Sequence, residues 1–292
     1  MKTKEIPLVF SCQSDELIGI VHQPENPLKI GVLIVVGGPQ YRAGSHRQFI
    51  LLARMLADNG VPVMRFDYRG MGDSEGVIRS FADVDEDIKS AVDTFYQHSP
   101  GLSGVAIWGL CDAATAAAFY GYQDERIKGL VLLNPWVFTE QGAAKTYLKH
   151  YYLQRLFNPN FWGKIVSFQF NYKQSFSSLI VLFGEMLRPS IKQDKPNQSD
   201  GVVLVDSALS LPIRVLECLQ RFKYPVLFVL SGRDLTADEF RDVIKSDENW
   251  QSLVKSSAVS SVELADADHT FSSQQWRDEV AQTTLDWVRQ LQ

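Results

Sequence analysis

Cysteine is scarce in this chain. The 292 residues hold three, Cys12, Cys111 and Cys218, far apart and odd in number. Without a Cys-x-x-Cys pair, zinc ribbons and thioredoxin-like sites are excluded. A reducing compartment is a simpler reading than a disulfide framework. Long apolar runs are also missing. The longest aliphatic stretches, such as Val32–Val36, fall far short of the ~18 residues that mark a membrane span. Ile6–Phe10, ended by Ser11, is shorter than the roughly 7–15 apolar residues of a secretory signal. Nor is there a basic excess: 29 Lys and Arg stand against 34 Asp and Glu, a formal charge of −5. That balance argues against a nucleic-acid partner. No internal repeat occurs. The Gly37-Gly38 pair is not followed by a Gly-x-Gly-x-x-Gly or a Gly-Lys-Ser/Thr, so a nucleotide cofactor is not expected, and neither is a metal. The expectation is a soluble, cytoplasmic protein without stable membrane insertion, acting on a small molecule and compatible with a homodimer.

What is present suits a folded α/β protein. Hydrophobic residues make up 45% of the chain and aromatics 11%, enough for a full core without disulfide staples. Leu8–Cys12 and Leu17–His22 read as a hairpin at a sheet edge. Gly31–Val36 is an unbroken aliphatic run, as in a strand buried on both faces. His46 to Asn59 then follows helical periodicity, with Gly60 as its stop. Val61–Tyr68 is the next strand and Phe81–His98 the next helix. The acidic start of that helix, Asp83 to Asp87, suits the positive end of its dipole.

Gly104–Gly109, Asp112–Tyr122 and Gly129–Leu133 continue the alternation. Tyr224–Leu230, Ala237–Ile244, Ser260–Ala265 and Ser272–Leu291 resume it after a break. Such alternation implies a mostly parallel, doubly wound sheet with right-handed crossovers. Between the two halves the rhythm is lost for about 75 residues, too long for a connector. The expected division is therefore a core of residues 1–134 and 212–292 with a helical cap insertion over 135–211.

The most informative segment is Val105 to Ala114. An apolar strand runs into Gly109, Cys111 follows after one residue, and a small-residue helix begins at once. That is the layout of a nucleophile elbow, Gly-x-nucleophile-x-Gly, which pushes the middle side chain out above the sheet at a helix N-terminus. Gly109 and Ala113 are small enough for so tight a turn. Cys111 as a mere apolar filler at a strand end is the alternative. A thiol nucleophile needs a base and an orienter, in the chain order nucleophile, acid, histidine. His269 sits in the loop after the last strand, and His46 near the first glycine loop is its rival. Asp234, immediately after a strand, is placed to hold the imidazole Nδ1 proton or to cap the following helix. The oxyanion would be held by the backbone N–H of Asp112 and by one from the Gly37–Gln40 loop. Pro39 has none, leaving Gly38 first and Gln40 second. Arg42, His46 and Arg47 are either contacts for an anionic group or solvated charges.

Phe66-Asp67-Tyr68-Arg69-Gly70-Met71-Gly72-Asp73-Ser74 resembles the Asp-x-Arg-Gly-x-Gly-x-Ser loop of the α/β-hydrolase superfamily. Gly109 to Ala113, Ser231 to Asp234 and Asp268 to Phe271 extend the resemblance in the same order. It implies the α/β-hydrolase fold across all but the insertion. More narrowly, Val36 to Arg42 with Ser45 to Phe49, Trp108 to Ala113 and Leu133 to Val137 resemble the first hydrolase family associated with exosortase A systems. That resemblance implies a bacterial context of exopolysaccharide production and protein sorting. Three departures stand out. Cysteine replaces serine, as in dienelactone hydrolases, Ala113 replaces the second elbow glycine, and Val36 replaces a histidine. The first favours a thioester intermediate. The sequence thus points to a hydrolase of an ester or thioester using Cys111, His269 and Asp234. An acyltransferase of exopolysaccharide-related metabolism and a non-catalytic binding protein of the same fold are the alternatives.

Overall fold

Ile30–Val35 (β3) is buried along its whole length, as its run of aliphatic side chains requires of a strand covered on both faces. It lies near the middle of a sheet in a computed structural model that describes residues 3–38, 40–138 and 204–292. The other strands are Lys4–Cys12 (β1), Asp15–Gln23 (β2), Val63–Phe66 (β4), Gly104–Leu110 (β5), Ile127–Leu133 (β6), Val226–Arg233 (β7) and Val259–Asp268 (β8). Their order is β1-β2-β4-β3-β5-β6-β7-β8. The β1–β2 hairpin and its junction with β4 are antiparallel, and β4 through β8 are parallel. β3 has β4 on one side and β5 on the other, so the chain reverses its winding there. The carboxyl ends of strands at such a switch point form the crevice where open α/β sheets bind ligands.

Seven helices pack around the sheet among the described residues. They are Gln48–Asp58 (α1), Asp85–His98 (α2), Asp112–Gly121 (α3), Leu211–Arg221 (α4), Leu235–Ser246 (α5), Glu248–Val254 (α6) and Gln274–Arg289 (α7). α3 carries five buried alanines, Ala113, Ala114, Ala116, Ala117 and Ala118. With so little side chain the helix can lie close against β5 and β6. α1 begins two residues later than its periodicity suggests. His46 and Arg47 have φ of 52° and 60°, left-handed values that an α-helix does not accommodate. α4 and α6 were not expected from the sequence. Most of the expected cap, including His150, lies outside the described residues.

The Asp-x-Arg-Gly loop after β4 does structural work. Asp67, fully buried, accepts the Arg42 N–H at 2.5 Å and the Asp73 N–H at 3.1 Å. It also pairs with the Arg42 guanidinium, which reaches Asp73 at 2.7 Å. A Cβ at Gly72 would come within 2.2 Å of the Asp67 carboxylate, so the chain can pass there only as glycine. Arg42 is therefore a clamp between the loops after β3 and β4, not a free contact for an anion. Asp87 also departs from its expected role as a dipole charge. It is buried and takes the Arg69 backbone N–H at 2.8 Å and both Nε and Nη2 of that guanidinium, at 3.0 and 2.8 Å.

Removing one partner of a buried pair strands the other charge, at a cost of about 3–5 kcal/mol. Asp87→Ala should lose that much in urea unfolding, whereas Asp83→Ala, at the exposed start of the same region, should stay within about 0.5 kcal/mol of wild type. Equal losses for the two would refute the buried Arg69–Asp87 pair.

Candidate active site

β5 ends at Leu110, and the next residue turns sharply. Cys111 has φ 62° and ψ −122°, a backbone region that costs a non-glycine residue of order 1–3 kcal/mol and persists only where surrounding structure imposes it. The enforcing contacts are visible. The Cys111 N–H donates to Leu133 O at 2.9 Å, and its carbonyl accepts from Ala114 and Trp136 at 3.1 and 3.2 Å. A Cβ on Gly109 would meet Ala113 O at 2.5 Å and Ala114 N at 2.7 Å. The elbow therefore closes only with glycine at 109, and the thiol stands at the N-terminus of α3. Cys111 is partly exposed, whereas Cys12 and Cys218 are buried. Burial raises the pKa of both core thiols, that of Cys218 to about 12, so they serve as apolar filler.

His269 follows β8 and Asp234 follows β7. Their strands are neighbours, which brings His269 Nδ1 to 2.9 Å from Asp234 Oδ2. The ring N–H is turned off the line to that oxygen, so the contact is a close ion pair rather than an aligned hydrogen bond. The contact with Asp234 and a second one with the Cys111 side chain outweigh burial and raise the His269 pKa to about 10. Asp234 also caps α5, accepting from the N–H of Thr236 at 3.2 Å and of Ala237 at 3.1 Å. The capping role weighed for it from the sequence is thus met, and the same carboxylate lies beside the imidazole. His46 is exposed in the turn before α1. His22 is buried beside the Arg65 guanidinium, and burial first, then that charge, lowers its pKa to about 4. The structure brings Cys111, His269 and Asp234 together and leaves the other described histidines elsewhere.

Two residues that hold the site escaped the sequence reading. Asn134, buried at the end of β6 with φ 42°, exchanges hydrogen bonds with Ser231: its Nδ2 donates to Oγ at 2.7 Å and its Oδ1 accepts from the N–H at 2.9 Å. Nδ2 also donates to His269 O at 3.1 Å. One amide thereby ties β6, β7 and the histidine loop together. An Asn after an apolar strand was the available signal. Asp268 stiffens the same loop, accepting from the Ser272 N–H at 2.9 Å and from its hydroxyl.

The expected oxyanion donors are differently occupied. The Gln40 N–H donates to Gly37 O at 3.4 Å within its own turn. The Gly38 N–H donates to Asp112 Oδ2 at 2.9 Å, and Ala113 N–H to Asp112 Oδ1 at 3.0 Å. Burial pushes the Asp112 carboxyl up, opposed by those two N–H groups. Among the described residues no cluster of three or more potential metal ligands occurs, and no helix is long and apolar enough to cross a membrane.

Residues 31–265 match the family described as Hydrolase_4, serine aminopeptidase S33. The chain belongs to that family. It has the α/β-hydrolase fold. The esterase Pf2001 of Pyrococcus furiosus superimposes with a TM-score of 0.63 at 15% identity, over 99% of this chain and 92% of that one. Est1E of Butyrivibrio proteoclasticus, solved with ferulic acid, gives 0.61 at 15%, over 97% and 98%. At such identities the likeness concerns the fold. A thiohydrolase of Aspergillus aculeatus, aneE, is 28% identical over 89 residues, which span 29% of this chain and 28% of that protein. The chain is thus a hydrolase of esterase-like architecture.

The raised His269 pKa sets a sign for stability. A group that binds its proton more tightly when folded stabilises fully below its unfolded pKa, here 6.5, and loses that contribution as pH rises toward 10. Asp234→Asn keeps a helix cap but removes the charge facing the imidazole. The melting-temperature gap between wild type and Asp234→Asn should be widest near pH 6 and close on approach to pH 10. A gap that widens with pH would contradict the pairing.

Proposed function

We propose that this protein hydrolyses an ester or thioester through a Cys111–His269–Asp234 triad. The observation that supports it best is the contact chain from the elbow thiol through one imidazole to a buried carboxylate. The Cys111 thiol gives its proton to His269 as the sulfur attacks. The sulfur lone pair forms a C–S bond to the substrate carbonyl carbon, and the carbonyl electrons move onto oxygen. Backbone N–H groups of Asp112 and Gly38 would hold that oxyanion. Its collapse breaks the bond to the leaving oxygen or sulfur, which takes the His269 proton. Water, deprotonated by the same imidazole, then attacks the thioester, the C–S bond breaks as the sulfur takes that proton back from His269, and acid and thiol are restored. Asp234 keeps the ring oriented and stabilises its charged form.

The substrate is a small acyl compound. Exposed Tyr41 and Phe138, on the loops after β3 and β6, and Leu235, the first residue of α5, lie at the edge of the sheet that carries the triad and suit an apolar acyl group. The motifs around Gly37, Cys111 and Asn134 favour membership of the exosortase A-associated group, with a cytoplasmic role in exopolysaccharide metabolism. One observation favours a second reading. The Asp112 carboxylate on the Gly38 N–H suits a protein that binds a ligand without turning it over.

A panel of p-nitrophenyl acyl esters and acyl-CoA thioesters, with Cys111→Ala alongside, separates the two. The expected outcome is turnover of at least one medium-chain ester, falling by on the order of 10³-fold or more in Cys111→Ala. Turnover that survives the substitution removes the thiol from the mechanism, and no turnover of any ester or thioester favours the binding protein.

A further inference from the structure

Asp112 is the residue after the nucleophile, and its side chain does not face solvent as a helix-start charge ordinarily does. It folds back over the elbow. Oδ2 accepts from Gly38 N–H and Oδ1 from Ala113 N–H. Gly38 N–H, one of the two backbone donors assigned above to a reacting carbonyl oxygen, therefore points at this carboxylate, which sits beside the second, the N–H of Asp112 itself. The slot is shaped for it. A Cβ at Gly37 would lie 2.1 Å from Oδ1, so any other residue there would expel the carboxylate. A carboxylate oxygen carries the negative charge and the hydrogen-bonding demand of a tetrahedral oxyanion, which makes it an intramolecular competitor for the hole.

We propose that Asp112 is a specificity-determining gate: its carboxylate fills the oxyanion hole at rest, and a substrate carbonyl gains the hole only by displacing it. This deepens the triad reading and rests on it. Displacement needs a rotation of one side chain, which leaves the carboxylate at the mouth of the same site. The displaced charge adds to that of the thiolate and of Asp234 around a single imidazolium. The opened site therefore selects uncharged acyl groups and disfavours those ending in a carboxylate.

The test compares two reactions of Cys111 that differ in their need for the hole. Alkylation by iodoacetamide needs only the thiolate. Acylation by p-nitrophenyl acetate or by p-nitrophenyl hydrogen succinate develops an oxyanion. Both are followed by intact mass under single-turnover conditions in wild type, Asp112→Asn and Asp112→Ala. The ratio of acetate acylation to alkylation should rise at least tenfold in Asp112→Ala, with Asp112→Asn between. The preference for acetate over succinate should shrink in both variants. An unchanged or reduced ratio in both variants overturns the gate and leaves Asp112 a helix cap. Wild-type alkylation no faster than that of a free thiol would instead count against the triad, an outcome the ratio does not imitate. If Asp112→Ala fails to fold, Asp112→Asn carries the comparison alone, since its amide keeps the cap and removes the charge.

Discussion

Cys111 holds a left-handed backbone because its neighbours leave it no alternative. Its N–H is committed to the end of β6, its carbonyl to the first turn of α3 and to Trp136, and Gly109 lets the helix backbone come closer than any side chain would allow. The strain is small beside the cooperative strand and helix contacts that impose it. Its consequence is directional. A thiol that ordinary backbone geometry would bury among the apolar side chains of β5 projects instead beyond the strand ends. The carboxylate of β7 and the imidazole of β8 can reach it there only because those strands lie in order on the same side of β5.

The rest of the site serves to keep that projection useful. Asn134 holds the histidine loop through its backbone while satisfying Ser231, and Asp268 closes the same loop onto Ser272. Asp234 is fixed by its helix before it meets the imidazole. On the opposite flank, Arg42 and Asp67 lock the loop after β3 to the loop after β4, which sets where Gly38 presents its N–H. Asn134, Asp234, Asp268 and Asp67 each bond at least one backbone group. Such bonds position loops with little rotamer freedom to lose.

Much of this was legible before any coordinates. The aliphatic runs announced β3 and β5 because a strand covered on both faces has no polar positions to interrupt it. Gly109 and the alanines after Cys111 announced the elbow, since no other element needs small residues at that spacing. The chain order of Cys111, Asp234 and His269 then matched the order of the strands that carry them. What remained hidden depended on where a short polar side chain turns. Asp112, Asp87 and Asn134 each had two plausible directions, outward into water or inward onto a backbone donor. Local sequence does not choose between them, because the choice is made by a loop many residues away. α4 and α6 were missed for a related reason: α4 adjoins the irregular insertion, and α6 is too short for periodicity to declare itself.

The proposed mechanism turns on the proton of His269, whose contacts with Asp234 and the Cys111 side chain raise its pKa. Heteronuclear NMR titration of the His269 ring nitrogens measures this directly. An imidazolium that persists through neutral pH and titrates near 10, with a midpoint at least one unit lower in Cys111→Ala, is the expected result. A midpoint near 6.5 in wild type, unmoved by the substitution, would contradict it.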